Sequence, residues 1–178
     1  MKKGFLSEYF EGVAVKRLSA VEADPVSSNQ HEFNGVGAMM EILGTERQTL
    51  PAKFAYLGED EDDTTAAEGF LTWYDAREAN PARSEYRLYF PSTAVSERAA
   101  EGDLMVIGKR PDGTLNVIIA MSGSTAENQL KWLFGVPVQI ETRFEVRAFE
   151  EDSDVEVRFA ARFILEELGV EVEEADSG

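Results

Sequence analysis

Apolar positions along the chain come in short runs separated by turn-forming residues, and most runs have the period of a strand. Gly12-Val13-Ala14-Val15-Lys16-Arg17-Leu18 combines β-branched residues with partial alternation and predicts a strand. Residues 50–57 predict another, and Phe70-Leu71-Thr72-Trp73-Tyr74 a third. Residues 85–90 alternate and stop at Pro91. Leu104–Gly108 and Leu115–Ala120 flank Pro111-Asp112-Gly113, and an Asp-Gly pair between apolar runs is a hairpin signal. Residues 136–149 alternate as a seventh strand. Helical spacing is shorter-lived. Val36, Met39, Met40 and Leu43 share a face that Gly44 ends, and Leu130, Leu133 and Phe134 follow Thr125 and stop at Gly135. Val155, Phe159, Phe163 and Leu168 predict a helix over 154–168. Trp73 and Trp132 lie in apolar patterns and are expected in the core.

About seven strands with hairpins and a few short helices predict a mainly β (α+β) fold, an antiparallel barrel or sandwich and not a doubly wound sheet. The length of 178 residues suits one domain, placed at 1–168, with residues 169–178 as an acidic tail or linker stub. Two polar stretches interrupt the pattern, at 19–35 and 76–84. Polar segments of the first one's length, between ordered elements, are commonly functional.

Charge first argues against a polyanionic partner, because the net charge is −17. Its distribution softens that objection. Residues 1–58 and 64–110 each carry a net −1, while Glu59–Asp63 carries −5 and residues 111–178 carry −10. Contacts within a Debye length of about 8 Å are decided locally, so a nucleic-acid surface is expected in the first 110 residues. With no cysteine, disulfides and thiolate metal sites are excluded. Glu8 and Glu11 break the apolar start that a signal peptide needs, and no run approaches the roughly 20 apolar residues of a membrane span. A soluble, cytoplasmic protein is expected.

Catalytic patterns are sparse. A metallonuclease needs clustered carboxylates and a lysine. Pro111-Asp112 sits in a turn with no Glu-x-Lys or Asp-x-Lys after it, and Glu127 and Lys131 have helical spacing. His31 is the sole histidine, and no motif marks an activated serine to partner it. Gly123-Ser124-Thr125 lacks the lysine of a phosphate loop and reads as a helix cap. The 59–63 run lacks the alternating ligands of a calcium loop. No catalytic residue, metal site or cofactor is assigned.

The polar stretches carry different chemistry. Lys16-Arg17 enters the first, which holds Ser27-Ser28-Asn29-Gln30-His31-Glu32 and Asn34. The second holds Arg77 and Arg83, then Glu85, Tyr86 and Arg87. Arginine pairs with guanine, asparagine or glutamine with adenine, and a carboxylate accepts from cytosine N4. Lysine, serine and tyrosine suit phosphates. Composition alone favours two ordinary solvated loops.

Val15-Lys16-Arg17-Leu18-Ser19-Ala20, Ser28-Asn29-Gln30-His31-Glu32-Phe33-Asn34-Gly35, Tyr74-Asp75-Ala76-Arg77 and Ser84-Glu85-Tyr86-Arg87 resemble stretches of the N-terminal domain of EcoRII-type restriction endonucleases. The likeness spans roughly residues 9–135. It implies a seven-stranded DNA-binding pseudobarrel with short flanking helices. Such a domain grips the major groove between two arms and reads C-C-W-G-G (W is A or T) beside a separate nuclease domain. On these residues the resemblance puts Gln30, His31, Arg77, Glu85, Tyr86 and Arg87 at base edges. Tyr86 stands where the family has lysine. Lys16, Arg17, Ser28, Asn29, Asn34 and Arg83 would position the DNA backbone. The expected partners are double-stranded DNA and a covalently linked nuclease domain, with this chain a monomer that binds and does not cut. Two rivals remain: an acidic protein-interaction module or DNA mimic, motivated by the −17 charge, and an enzyme built on His31.

Overall fold

The computed structural model describes residues 10–23, 32–33, 36–59, 63–77, 85–134, 140 and 145–148. Its strands are β1 (Gly12–Arg17), β2 (Glu32–Phe33), β3 (Gln48–Leu57), β4 (Thr64–Asp75), β5 (Tyr86–Tyr89), β6 (Leu104–Lys109), β7 (Leu115–Ala120) and β8 (Glu145–Ala148). They form one sheet in the order β2-β5-β4-β3-β7-β6-β1-β8. β3 and β7 are parallel and every other described pair is antiparallel. Helices α1 (Ala20–Ala23), α2 (Met40–Leu43), α3 (Ala94–Arg98) and α4 (Thr125–Phe134) are short, and a 3-10 turn over Gly37–Met39 leads into α2. The mainly β architecture is the one expected. β2 spans only two residues, so seven of the eight described strands are substantial.

Alternation along β1 shows how the sheet is buried on both sides. Val13 and Val15 join Leu104, Val106, Ile118 and Ala55 beneath Leu130, Leu133 and Phe134 of α4. Ala14 joins Met105, Ile107, Val117, Phe54, Trp73 and Leu88 on the opposite face. Leu18, just past β1, and Phe33 of β2 line the same small cavity. Five strands stand between β1 and β2 in the sheet, so this closeness requires the sheet to curl into a half-barrel. Gly108 sits where a Cβ would lie 2.7 Å from the Phe10 ring, and that close approach lets Phe10 cover the strand.

Local signals explain most boundaries. Asp112 Oδ1 accepts from the Thr114 amide, and Gly113 takes φ +91°, closing the β6–β7 hairpin. Ser124 Oγ accepts from the Glu127 amide at 3.1 Å and starts α4. Lys131 and Glu127 pair across one turn at 3.3 Å. Gly44 ends α2 with φ +77°. Trp73 is fully buried as expected, but Trp132 is 47% exposed. α4 buries one stripe, and Trp132 lies off the stripe carrying Leu130, Leu133 and Phe134. The helix expected over 154–168 and the tail at 169–178 lie outside the described residues. No described helix is long and apolar enough to cross a membrane.

Candidate nucleic-acid interface

The two polar stretches meet through the sheet. β2 is the returning limb of the first, and β5 is the strand that follows the second. They pair antiparallel, Glu32 opposite Tyr89 and Phe33 opposite Leu88. Phe33 anchors the join, since it is buried and its ring stacks on Phe90 with centroids 4.3 Å apart.

Alternation along β5 then sorts its side chains. Leu88 points into the barrel and Arg87 outward. Arg87 Nη1 lies 3.3 Å from Glu32 Oε1, and its Nη2 lies 3.5 Å from Glu85 Oε2. Arg77 Nε donates to the same Glu85 oxygen at 3.1 Å. Arg77, Glu85 and Arg87 thus form a continuous exposed chain of charge, each side chain about half exposed. Asp75 Oδ1 fixes its base by accepting from the backbone amides of Arg77 and Glu85. The Arg77 hydrogen bond and then the Arg87 charge hold the Glu85 carboxyl below its usual range. The Glu32 charge holds the Arg87 guanidinium above its own.

Two residues that the sequence did not single out extend this network. Tyr74 donates its hydroxyl to Glu32 Oε2, and burial followed by that hydrogen bond raises its pKa. The Arg47 guanidinium lies 5.3 Å from the centre of the Tyr74 ring. Arg47 is remote from both stretches in sequence, and only the β3–β4 register, with Gln48 opposite Trp73, brings it here.

Three expectations are corrected. Lys16 is fully buried, its ammonium 2.5 Å from Glu22 Oε2, so it cannot reach a phosphate. It faces inward because its neighbours Val15 and Arg17 occupy the other side of β1. Burial pulls its pKa down, against the opposing pull of Glu22. Arg17 is engaged by Glu127 of α4 and donates to the Gly102 carbonyl at 3.2 Å. It ties the strand to the helix, with its side chain 20% exposed. Tyr86 faces inward, the strand neighbour of outward Arg87. Its ring stacks on Trp73 with centroids 4.9 Å apart, and its hydroxyl donates to the Thr45 carbonyl at 2.8 Å. Ser28, Asn29, Gln30, His31, Asn34 and Arg83 lie outside the described residues.

Among the described residues, no group of three or more histidine, cysteine, aspartate or glutamate side chains is placed to hold a metal ion. The arrangement offers chemistry of recognition: planar donors on two arginines, with an ionised carboxylate acceptor between them.

No family model and no curated protein matches the chain. Solved structures resemble it, two of them as follows. One is the N-terminal domain of Helicobacter pylori LlaJI.R1, at 9% identity and a TM-score of 0.46, covering 78% of this chain and 99% of that one. The other is the B3 domain of the UbaLAI restriction endonuclease, described with cognate DNA, at 14% identity and a TM-score of 0.37, covering 78% of this chain and 87% of that one.

Proposed function

We propose that the chain recognises a short duplex DNA site in the major groove, as the non-catalytic recognition domain of a restriction endonuclease. Arg77 and Arg87 read guanines and Glu85 accepts from a cytosine amino group. Gln30 and His31 contribute from the first stretch, with Ser28, Asn29, Asn34 and Arg83 toward the backbone. The observation that carries the proposal is the β2–β5 pairing, which joins the two polar stretches and puts Glu32 against Arg87. Arginine donors suit the O6 and N7 acceptors of guanine, and a carboxylate acceptor suits the amino donor of cytosine. Surface ion pairs contribute little to folding, so these groups can exchange one another for base edges at low cost. The resemblance to EcoRII-type domains names C-C-W-G-G as the first site to test and a linked nuclease domain as the partner that cuts.

A mobility shift with a C-C-W-G-G duplex against a scrambled one tests it. Specific recognition predicts a ratio of about 10³ or more at physiological salt. A random duplex pool extends the test to other sites. Failure to enrich any sequence, with equal or no retention at low salt, overturns the proposal and favours the acidic protein-interaction module.

A further inference from the structure

The charged row beside Glu85 has a further member that neither polar stretch supplies. Residues 44–47 join α2 to β3, and donors from four strands hold the chain that leads into them. Lys109 Nζ donates to the Ile42 carbonyl at 3.3 Å, and the Gln48 side-chain amide donates to the Leu43 carbonyl. Trp73 Nε1 donates to the Gly44 carbonyl at 3.0 Å, and the Tyr86 hydroxyl to the Thr45 carbonyl at 2.8 Å. Four consecutive carbonyls at the end of α2 therefore each take a side-chain partner, from β6, β3, β4 and β5 in turn. The backbone reaching Arg47 is held in place without help from a ligand.

Register sets where Arg47 points. Gln48 lies opposite Trp73, which is buried, and Tyr74 lies opposite Arg87, which is exposed. Successive residues of a strand face opposite sides. Arg47 therefore shares the outer face with Tyr74 and Arg87, and its guanidinium lies 5.3 Å from the centre of the Tyr74 ring. The ring is itself tethered, because its hydroxyl donates to Glu32. Neighbouring strands lie about 4.8 Å apart, so two spacings put Arg47 roughly 10 Å from Arg87 across the sheet. The major groove is about 12 Å wide. With Arg87 at a base edge, a guanidinium that far along the row meets the groove wall, where the phosphates are.

Arg47 also differs from its neighbours in what it contacts. Arg77 and Arg87 each face a carboxylate. Arg47 is exposed and stacked on Tyr74, with no carboxylate of the described residues in ion-pair range. An aromatic face orients a guanidinium yet leaves its N–H groups available, which an ion pair does not.

We infer that Arg47 holds a backbone phosphate of the bound duplex, a contact that extends the interface from the two polar stretches to the start of β3. The inference rests on the DNA-binding function above. It concerns affinity and placement, because a phosphate contact carries no sequence information.

The test measures cognate and scrambled duplex affinity against salt for the unaltered protein, Arg47→Gln and Arg47→Lys, with thermal unfolding as the check on folding. In Arg47→Gln both duplexes should bind more weakly by a common factor, and the log–log salt slope should fall by about 0.9. Arg47→Lys should keep the slope, because lysine binds phosphate as a point charge. A second measurement locates the contact. Single neutral methylphosphonates are placed in turn along the cognate duplex, and one position should weaken the unaltered protein yet leave Arg47→Gln unaffected. An unchanged slope in Arg47→Gln overturns the inference, as does a slope lost equally in Arg47→Lys. A fallen cognate-to-scrambled ratio also overturns it, since Arg47 would then read a base. So does a scan in which every position affects both proteins alike. Should Arg47→Gln not fold, Arg47→Met, which keeps the aliphatic cover on the Tyr74 ring, takes its place. If the unaltered protein binds no duplex, the DNA function fails and this contact with it. If it binds all duplexes alike, only site recognition fails, and the slope of Arg47→Gln still decides on Arg47.

Discussion

At Arg87 a single guanidinium belongs to two carboxylates, Glu32 and Glu85, and stays half exposed. Arg87→Ala should cost about 1–3 kcal/mol of cognate affinity and relax specificity at one base pair. Selection from a random duplex pool reads that out, and an unchanged site logo would count against the assignment. Lys16 behaves in the opposite way. Lys16→Met leaves a buried carboxylate without its partner and should destabilise the fold by about 3–5 kcal/mol. The salt dependence of DNA binding should stay unchanged, whereas loss of a phosphate contact would reduce the log–log slope by about 0.9. Glu127 gives a pH signature. Burial pushes its carboxyl up, but Arg17 and then Lys131 outweigh this and leave it below its ordinary 4.5. A lowered carboxyl lends stability that is complete above the unfolded value and lost as pH falls through the folded one. Thermal unfolding of Glu127→Gln should therefore differ from the parent above the ordinary carboxyl range and converge with it as pH falls below that range. Parallel curves across that range would show that the pair contributes nothing.

The elements tell how far sequence patterns reach. Apolar runs announced β1, β3, β4, β6 and β7, because each buries at least one face. β2 was invisible: two residues in a polar segment have no period, and their pairing comes from Leu88 and Tyr89 of the distant β5. α1 and α3 were missed for a related reason. Each is about one turn long and rests on a reciprocal cap, Ser19 with Glu22 and Thr93 with Ser96. The site was legible in residue type, since Arg77, Glu85 and Arg87 were singled out and do form one chain. It was illegible in orientation. Lys16 and Tyr86 carry the right chemistry but point inward, and strand phase alone decides that. β2 itself is testable. Phe33→Ala removes a stacked, buried ring and should destabilise by about 3–5 kcal/mol in chemical denaturation. It should also weaken cognate binding in excess of its effect on scrambled DNA. Equal losses on both duplexes would show that β2 supports the fold alone.

For the whole molecule the charge map sets the approach to a polyanion. The interface carries both signs, and the acidic excess lies at 59–63 and beyond residue 110. Charge outside the contact surface acts over distance and leaves base discrimination alone. Replacing Asp60, Glu61 and Asp62 with their amides should raise affinity for every duplex by a common factor. The cognate-to-scrambled ratio should not move, and the gain should vanish as the Debye length falls to about 3 Å in 1 M salt. A changed ratio would mean that the run meets the DNA directly.

The sheet order also bears on synthesis. β1 pairs with β6 and β8, so its described neighbours are all made much later. At about 5–20 residues per second, the first of them emerges on the order of 5–20 s after β1 does. During that interval Val13, Ala14 and Val15 form an apolar β-prone stretch without a neighbour, the kind of segment that associates with other nascent chains. Lys16 and Arg17 end it with two adjacent positive charges, which act as gatekeepers against such pairing. The same two cations later disappear into ion pairs with Glu22 and Glu127, so a solubilising feature of the unfinished chain becomes a fastening in the finished one.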